Sequence, residues 1–265
     1  MQDIPLTHDF IPVQGALQRA AGRYQSMQFW WHAARVPLLL FVPMAVLLAT
    51  TSTDIVIARW AFFDSATHQW RGAGNWWINE LVHVGGRWLV RGVVAAALLG
   101  WIATFLDRRW AMWRRPLGYF AIAVILTVGV VGLLKVTTNV DCAWDLAPFG
   151  GPYPYVHLFA DRPDFLPHAK CFPAAHASSG YALMALYFVF LERSRRLALA
   201  GLACGILMGL IFGLAQQSRG AHLLSHDMWS AMFAWLIPLS VYTFAFKRRL
   251  WRLRSRQDVT GPDLD

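Results

Sequence analysis

The stretch LGYFAIAVILTVGVVGLL (117–134) decides the reading of this chain: eighteen residues without a charge, preceded by Arg114-Arg115-Pro116 and followed by Lys135. About 20 apolar helical residues cross the hydrocarbon of a bilayer, so this segment is expected to be a membrane helix. Five further segments read the same way, at 36–53, 88–106, 174–191, 197–215 and 228–246. Arg91 lies one turn inside the second of these, where its charge can snorkel to the interface. Pro238 lies inside the last, where a membrane helix tolerates a kink.

Composition agrees. Apolar residues make up 57% of the 265 and charged residues only 15%, against about 25% charged in a soluble domain. Fourteen Trp and 17 Phe are enough for aromatic belts at both interfaces. The net charge of +9 could suit nucleic acid, but the basic residues sit in short runs between apolar spans, which is the membrane pattern. Residues 1–35 lack the short apolar core of a signal peptide. There is no internal repeat.

Loop charge sets the orientation. DRRWAMWRR (107–115) holds four Arg, ERSRR (192–196) three, and KRRLWRLRSR (247–256) six basic residues. These fall on one side together with Arg19, Arg23 and Arg35, so both termini are expected in the cytoplasm. The expected fold is an all-α membrane protein, a six-transmembrane-helix bundle. It has an interfacial amphipathic segment between helices 1 and 2 (54–87, with Trp70, Trp76 and Trp77 at headgroup level) and a long outer loop between helices 3 and 4. A soluble-like cap is the alternative for 54–87. The expected division is 1–35 as a cytoplasmic segment, 36–246 as the membrane domain and 247–265 as a basic tail.

Three polar clusters fall on the opposite, outer face: KVTTNVDCAWD (135–145), KCFPAAHASSG (170–180) and QQSRGAHLLSHD (216–227). Ionisable groups at membrane depth are costly and mark functional sites. Lys135 and Arg219 suit an anion, and His176, His222 and His226 can move protons or attack. Asp227 or Asp145 can orient an imidazole. The set suits phosphoryl transfer, in which cations hold the equatorial oxygens and a nucleophile stands in line. Taken singly, each piece also has a plain structural use: Lys135 as a snorkelling anchor, Pro173 as a helix start, Ser178 and Ser179 as small packing residues.

In this order the clusters resemble the type 2 phosphatidic acid phosphatase and haloperoxidase superfamily, over about residues 85–245. The family's first motif is Lys, six residues, Arg-Pro; Lys135 matches, and Cys142-Ala143 stand where Arg-Pro would be. Its second is Pro-Ser-Gly-His, here Pro173-Ala174-Ala175-His176. Its third is Ser-Arg, five residues, His, three residues, Asp, and two registers compete. Aligning Ser218-Arg219 puts Ser225 and Trp229 at the His and Asp positions. Aligning His222 leaves Gln216 in place of the Arg and His226 in place of the Asp, with Asp227 beside it; the second register is preferred.

The resemblance implies a bacterial inner-membrane lipid phosphatase with a periplasmic site and no metal or cofactor. His222 would be the nucleophile and His176 the general acid and base. Asp227, or His226, would orient His222, and Lys135, Arg219 and Ser178 would bind phosphate. The implied partners are bilayer lipids and a lipid phosphate: undecaprenyl diphosphate, phosphatidylglycerol phosphate or a lipid A type. A phosphotransferase on the same scaffold and a lipid transporter are the alternatives. A di-iron hydroxylase would need several histidine boxes, and His-x-x-x-His occurs once, at 222–226.

In an oxidising compartment, Cys142 and Cys171 are expected to form a disulfide, with two free thiols as the alternative. Cys204, mid-span, is expected to be inert core. The stretch between the paired cysteines, DLAPFGGPYPYVHLFADRPDFLPHAK (145–170), has the length of a lid or headgroup loop.

Overall fold

The structure, a computed structural model, describes residues 11–246 together with Arg249 and Leu250; the side chains of residues 11–20 and Arg23 lie outside the description. The described residues are mostly helical. Most of the expected basic tail, including residues 251–265, lies outside the described residues.

Among the described residues five helical stretches are long and apolar enough to cross a membrane: Tyr24–Thr50, Trp77–Leu106, Arg108–Thr137, Arg195–Ser218 and Leu224–Ala245. The remaining expected span is the shorter apolar helix Ala175–Leu191. It divides into α5 (Ala175–Tyr181) and α6 (Ala185–Leu191) around a tighter 3-10 turn. At 1.5 Å per residue it is about 25 Å long, against about 30 Å of hydrocarbon.

The first helix, α1 (Ile11–Thr50), runs through the boundary expected at residue 35. It is held against α8 (Leu224–Ser240) by Trp30 Nε1 on Ser240 Oγ (3.0 Å) and Trp235 Nε1 on the Ala33 carbonyl (3.1 Å). α3 (Gly86–Leu106) continues a π-helical segment, Trp77–Gly85, so this helix starts more than two turns before the apolar run expected from Trp88. α4 (Arg114–Thr137) packs its buried Tyr119 between Tyr242 and Phe246. The Tyr119 hydroxyl donates to the Pro238 carbonyl at 3.0 Å. α7 (Arg195–Ser218) lies close against α5 and α6, with Gly201, Gly205 and Gly209 at the crossing. Leu39, Leu40, Leu106 and Leu207 stand exposed on the outside of the bundle, as lipid-facing side chains must. Cys204 also faces outward and is free. The expectation of a core cysteine fails because α7 turns its glycines, not Cys204, toward its neighbours.

Residues 54–87 form α2 (Thr53–Phe62), a two-stranded hairpin of β1 (Phe63–Asp64) and β2 (Gln69–Trp70), and the start of the next helix. Trp76 and Trp77 are exposed, but Trp70 is 8% exposed. It packs on Phe149 (4.6 Å between ring centroids) and Phe63 (5.4 Å). Trp70 is therefore the centre of a small apolar core with Ile55, Leu146 and Leu223, not a headgroup anchor. A cap built over the bundle end describes this segment better than a helix lying in the interface.

Candidate active site

Each polar cluster sits at a helix end: Lys135 in the last turn of α4, His176 in the first turn of α5, Arg219 just past α7, and His222 and His226 around the start of α8. Backbone hydrogen bonds tie these ends together. Cys171 N donates to the Val140 carbonyl (3.0 Å), joining the first cluster to the second. Ala174 N donates to the His226 carbonyl (3.2 Å), joining the second to the third. Trp144 N donates to the Gly220 carbonyl (2.7 Å), closing the triangle. Gly220 has φ +78° and a Cβ there would strike the Trp70 indole; the turn between Arg219 and His222 requires glycine on both counts.

A disulfide joins Cys142 and Cys171, with their Cα atoms 5.1 Å apart. It locks the first cluster to the second, as expected from the sequence. The start of α8 is further held from α2, where the Asp54 carboxylate accepts from Ser225 N at 3.2 Å. Such caps contribute about 1 kcal/mol.

His222 is 4% exposed and His226 2%, with their Nδ1 atoms 3.3 Å apart. Burial first, then the nearby His226 and Lys135, holds the His222 imidazole well below its ordinary value of 6.5. These surroundings favour the neutral ring. Asp227 is placed elsewhere: its carboxylate accepts from Gln217 Nε2 at 3.0 Å, within α7. Of the two expected orienting groups, His226 touches His222 and Asp227 contacts Gln217. Asp145, the other carboxylate considered, lies in the cap turn beyond the disulfide. Ser178 is fully buried and donates to the Ala175 carbonyl at 2.8 Å. Its hydroxyl therefore turns back into its own helix.

His176 stacks on Phe212 (4.5 Å, 22°) and meets the His83 ring edge-on at 4.7 Å. Its Nε2 is buried and without a partner among the described residues. His83 was not among the sequence candidates. It bonds Gln216 Nε2, while Gln216 Oε1 accepts from Arg219 Nη1 at 3.2 Å. Arg87, one turn after His83, is a second residue that sequence reasoning missed. Its charge acts on His83, His176 and Arg219. Burial, and next to it Arg87, presses the Arg219 guanidinium below its usual value, so two like charges converge where an anion would relieve them. The available signal was the four-residue spacing of His83 and Arg87 at the start of an apolar helix, which puts both on one face. Among the described residues, no group of three His, Cys, Asp or Glu side chains is disposed to hold a metal ion.

A family model described as the PAP2 superfamily matches residues 116–250. The match covers just over half of the chain. The chain belongs to the PAP2 superfamily. No curated protein and no solved structure matches it. Membership gives this PAP2 protein phosphatase or phosphotransferase activity on lipid-like phosphates as its general chemistry. The matched region of the PAP2 protein contains Lys135, His176, Arg219, His222 and His226; His83 and Arg87 lie before it.

Proposed function

We propose that the protein is an integral membrane lipid phosphatase that works through a phosphohistidine on His222. The observation that carries this reading is the triangle of backbone hydrogen bonds, which gathers Lys135, Arg219 and the imidazoles of His176, His222 and His226 at one end of the bundle. Lys135, Arg219 and Arg87 grip the phosphate and neutralise charge developing on its equatorial oxygens.

His222 Nε2 forms a bond to phosphorus as the bond to the lipid oxygen breaks. His176, entering as the imidazolium, gives a proton to that leaving oxygen. The neutral His176 then takes a proton from water as the water oxygen attacks phosphorus; the phosphorus–nitrogen bond breaks and phosphate leaves. His226 holds His222 Nδ1 throughout, as the third group of a triad holds its base.

Two observations favour a site on the non-cytoplasmic face of a bacterial inner membrane. The Cys142–Cys171 disulfide belongs to an oxidising compartment such as the periplasm. The arginine-rich segments 107–115 and 192–196 join the opposite helix ends, as the positive-inside rule requires. The substrate is then a lipid phosphate of the outer leaflet.

Phosphate release from lipid phosphates in mixed micelles, with EDTA present, tests the reading. Turnover should persist without metal, and His176→Ala and His222→Ala should each lose at least about 100-fold. Near-normal turnover in either variant ends the assignment.

A further inference from the structure

Arg219 carries donors only, and this fixes the bonds behind it one after another. A guanidinium cannot accept a hydrogen bond, so the Gln216 atom facing Arg219 Nη1 at 3.2 Å is the oxygen, Oε1. The other end of that amide, Nε2, then donates, and its partner is His83 Nδ1. His83 Nδ1 is therefore an acceptor, and the proton of the neutral ring sits on Nε2. Gln216 is 3% exposed, so an end of its amide left unpaired is costly.

The same His83 ring meets His176 edge-on, with 4.7 Å between centroids. On its face His176 stacks on Phe212 at 4.5 Å. Phe212 in turn lies against Gly86, where a Cβ would strike its ring. Gly86 follows His83 by three residues, about one helical turn. One stretch of helix thus supplies the edge contact of the His176 ring and the seat of the residue on which it stacks. His83 itself belongs to the π-helical segment Trp77–Gly85, a wide turn of a kind frequent at functional sites. No hydrogen bond among the described residues holds His176 Nε2, so packing aims that end of the ring.

We propose that His83 is a positioning residue that serves two groups of the site at once. Its Nδ1 fixes the Gln216 amide and, through it, Arg219. Its ring edge fixes the imidazole of His176. The phosphate clamp and the proton carrier are thereby set against each other by one side chain that lies before the matched region 116–250. The role rests on the lipid phosphatase reading, in which Arg219 binds the phosphate and His176 moves the proton. The two arms then have different kinetic signatures: loss of the clamp weakens binding and raises KM, and loss of aim at His176 lowers kcat.

Two substitutions in the full-length protein separate the arms. His83→Phe keeps a ring beside His176 and removes the acceptor. His83→Asn keeps an acceptor near the place of Nδ1 and removes the ring. The assay is phosphate release from phosphatidic acid in mixed micelles, or from undecaprenyl diphosphate where phosphatidic acid is not turned over. His83→Phe should raise KM about fivefold, the scale of one lost hydrogen bond, with kcat within about twofold of wild type. His83→Asn should lower kcat about tenfold, with KM within about twofold. Gln216→Leu should raise KM as His83→Phe does, and the double variant should be no worse than either, since both remove the same bond. Matching elution and Tm show that the variants fold; if His83→Phe does not fold, Gln216→Leu decides the Arg219 arm. Wild-type kcat and KM in the folded His83 variants, the same loss of both in each, or additive losses in the double variant overturn the role and leave the phosphatase reading standing. Release of no phosphate by the wild type from these or any other lipid phosphates overturns both.

Discussion

The Nδ1 atoms of His222 and His226 lie 3.3 Å apart, while the carboxylate of Asp227, the very next residue, turns away to Gln217 at 3.0 Å. His222 lies in the segment just before α8 and His226 in the first turn of α8; adjacent residues of a helix face different ways, so His226 meets His222 while Asp227 faces α7. Asp227 packs where a Cβ on Gly213 would strike it. When His222 carries phosphate on Nε2, its Nδ1–H needs an acceptor, and His226 Nδ1 is in place. We expect His226→Ala to lower kcat at least about tenfold and Asp227→Asn to stay within about threefold of wild type. Single-turnover phosphate release measures both; a larger loss in Asp227→Asn reverses the assignment.

Much of this was legible in the sequence, for identifiable reasons. The span 117–134 has no charge to compete with burial in lipid, so α4 could be placed from composition alone. Lys135, His176, Arg219, His222 and His226 stood out because ionisable groups are rare beside such spans, and the Cys142–Cys171 pair because both flank those groups. The directions of the Asp227 and Ser178 side chains are not legible in the sequence, since each depends on which way a side chain leaves its helix. Trp70 reads as a headgroup anchor because local amphipathicity does not show that Phe149, 79 positions later, covers it. His83 and Arg87 escaped because the polar residues of 76–87 hide the helical continuation into α3.

Arg87 offers a second prediction. Among the described residues its guanidinium has no ion pair, yet its charge acts on His83, His176 and Arg219. A charge-assisted hydrogen bond to phosphate contributes about 1.5–3 kcal/mol, so Arg87→Ala should lower kcat/KM by about 10- to 100-fold. Arg87→Lys should recover part of it, because a point charge remains while the bidentate fork is lost. Steady-state kinetics on one lipid phosphate checks this; Arg87→Ala at wild-type kcat/KM removes Arg87 from the site.

The pH profile follows from the burial of His222. Its imidazole is held well below 6.5, first by burial and then by His226 and Lys135. A depressed value favours the neutral ring, so the nucleophile stays unprotonated as pH falls through 6.5, and its acid limb in kcat/KM lies below that. Removing a positive neighbour with Lys135→Met should move the limb upward, whatever the loss in absolute rate. The same sign governs stability: the contribution of the buried neutral ring is complete above 6.5 and is lost as pH falls below it. Rates and Tm measured from about pH 5 to about pH 8 test both statements; an acid limb that stays put in Lys135→Met contradicts the first.

The disulfide gives the last prediction. Cys142 and Cys171 are 29 residues apart, and a closed loop of that size is worth roughly 3–4 kcal/mol in the chain-entropy model. The bond does more than restrict the unfolded chain. The Cys171 amide is bonded to the Val140 carbonyl, five residues beyond Lys135, and Ala174, three residues after Cys171, donates to the His226 carbonyl. Reduction therefore loosens the frame that sets the phosphate-binding lysine against the nucleophile. Cys142→Ser, Cys171→Ser and reduced wild type should all show the same lowered Tm. Each should lose kcat/KM further at temperatures well below that Tm, where the bundle is still folded. If Tm falls but kcat/KM in the folded range does not, the bond stabilises the chain without holding the site.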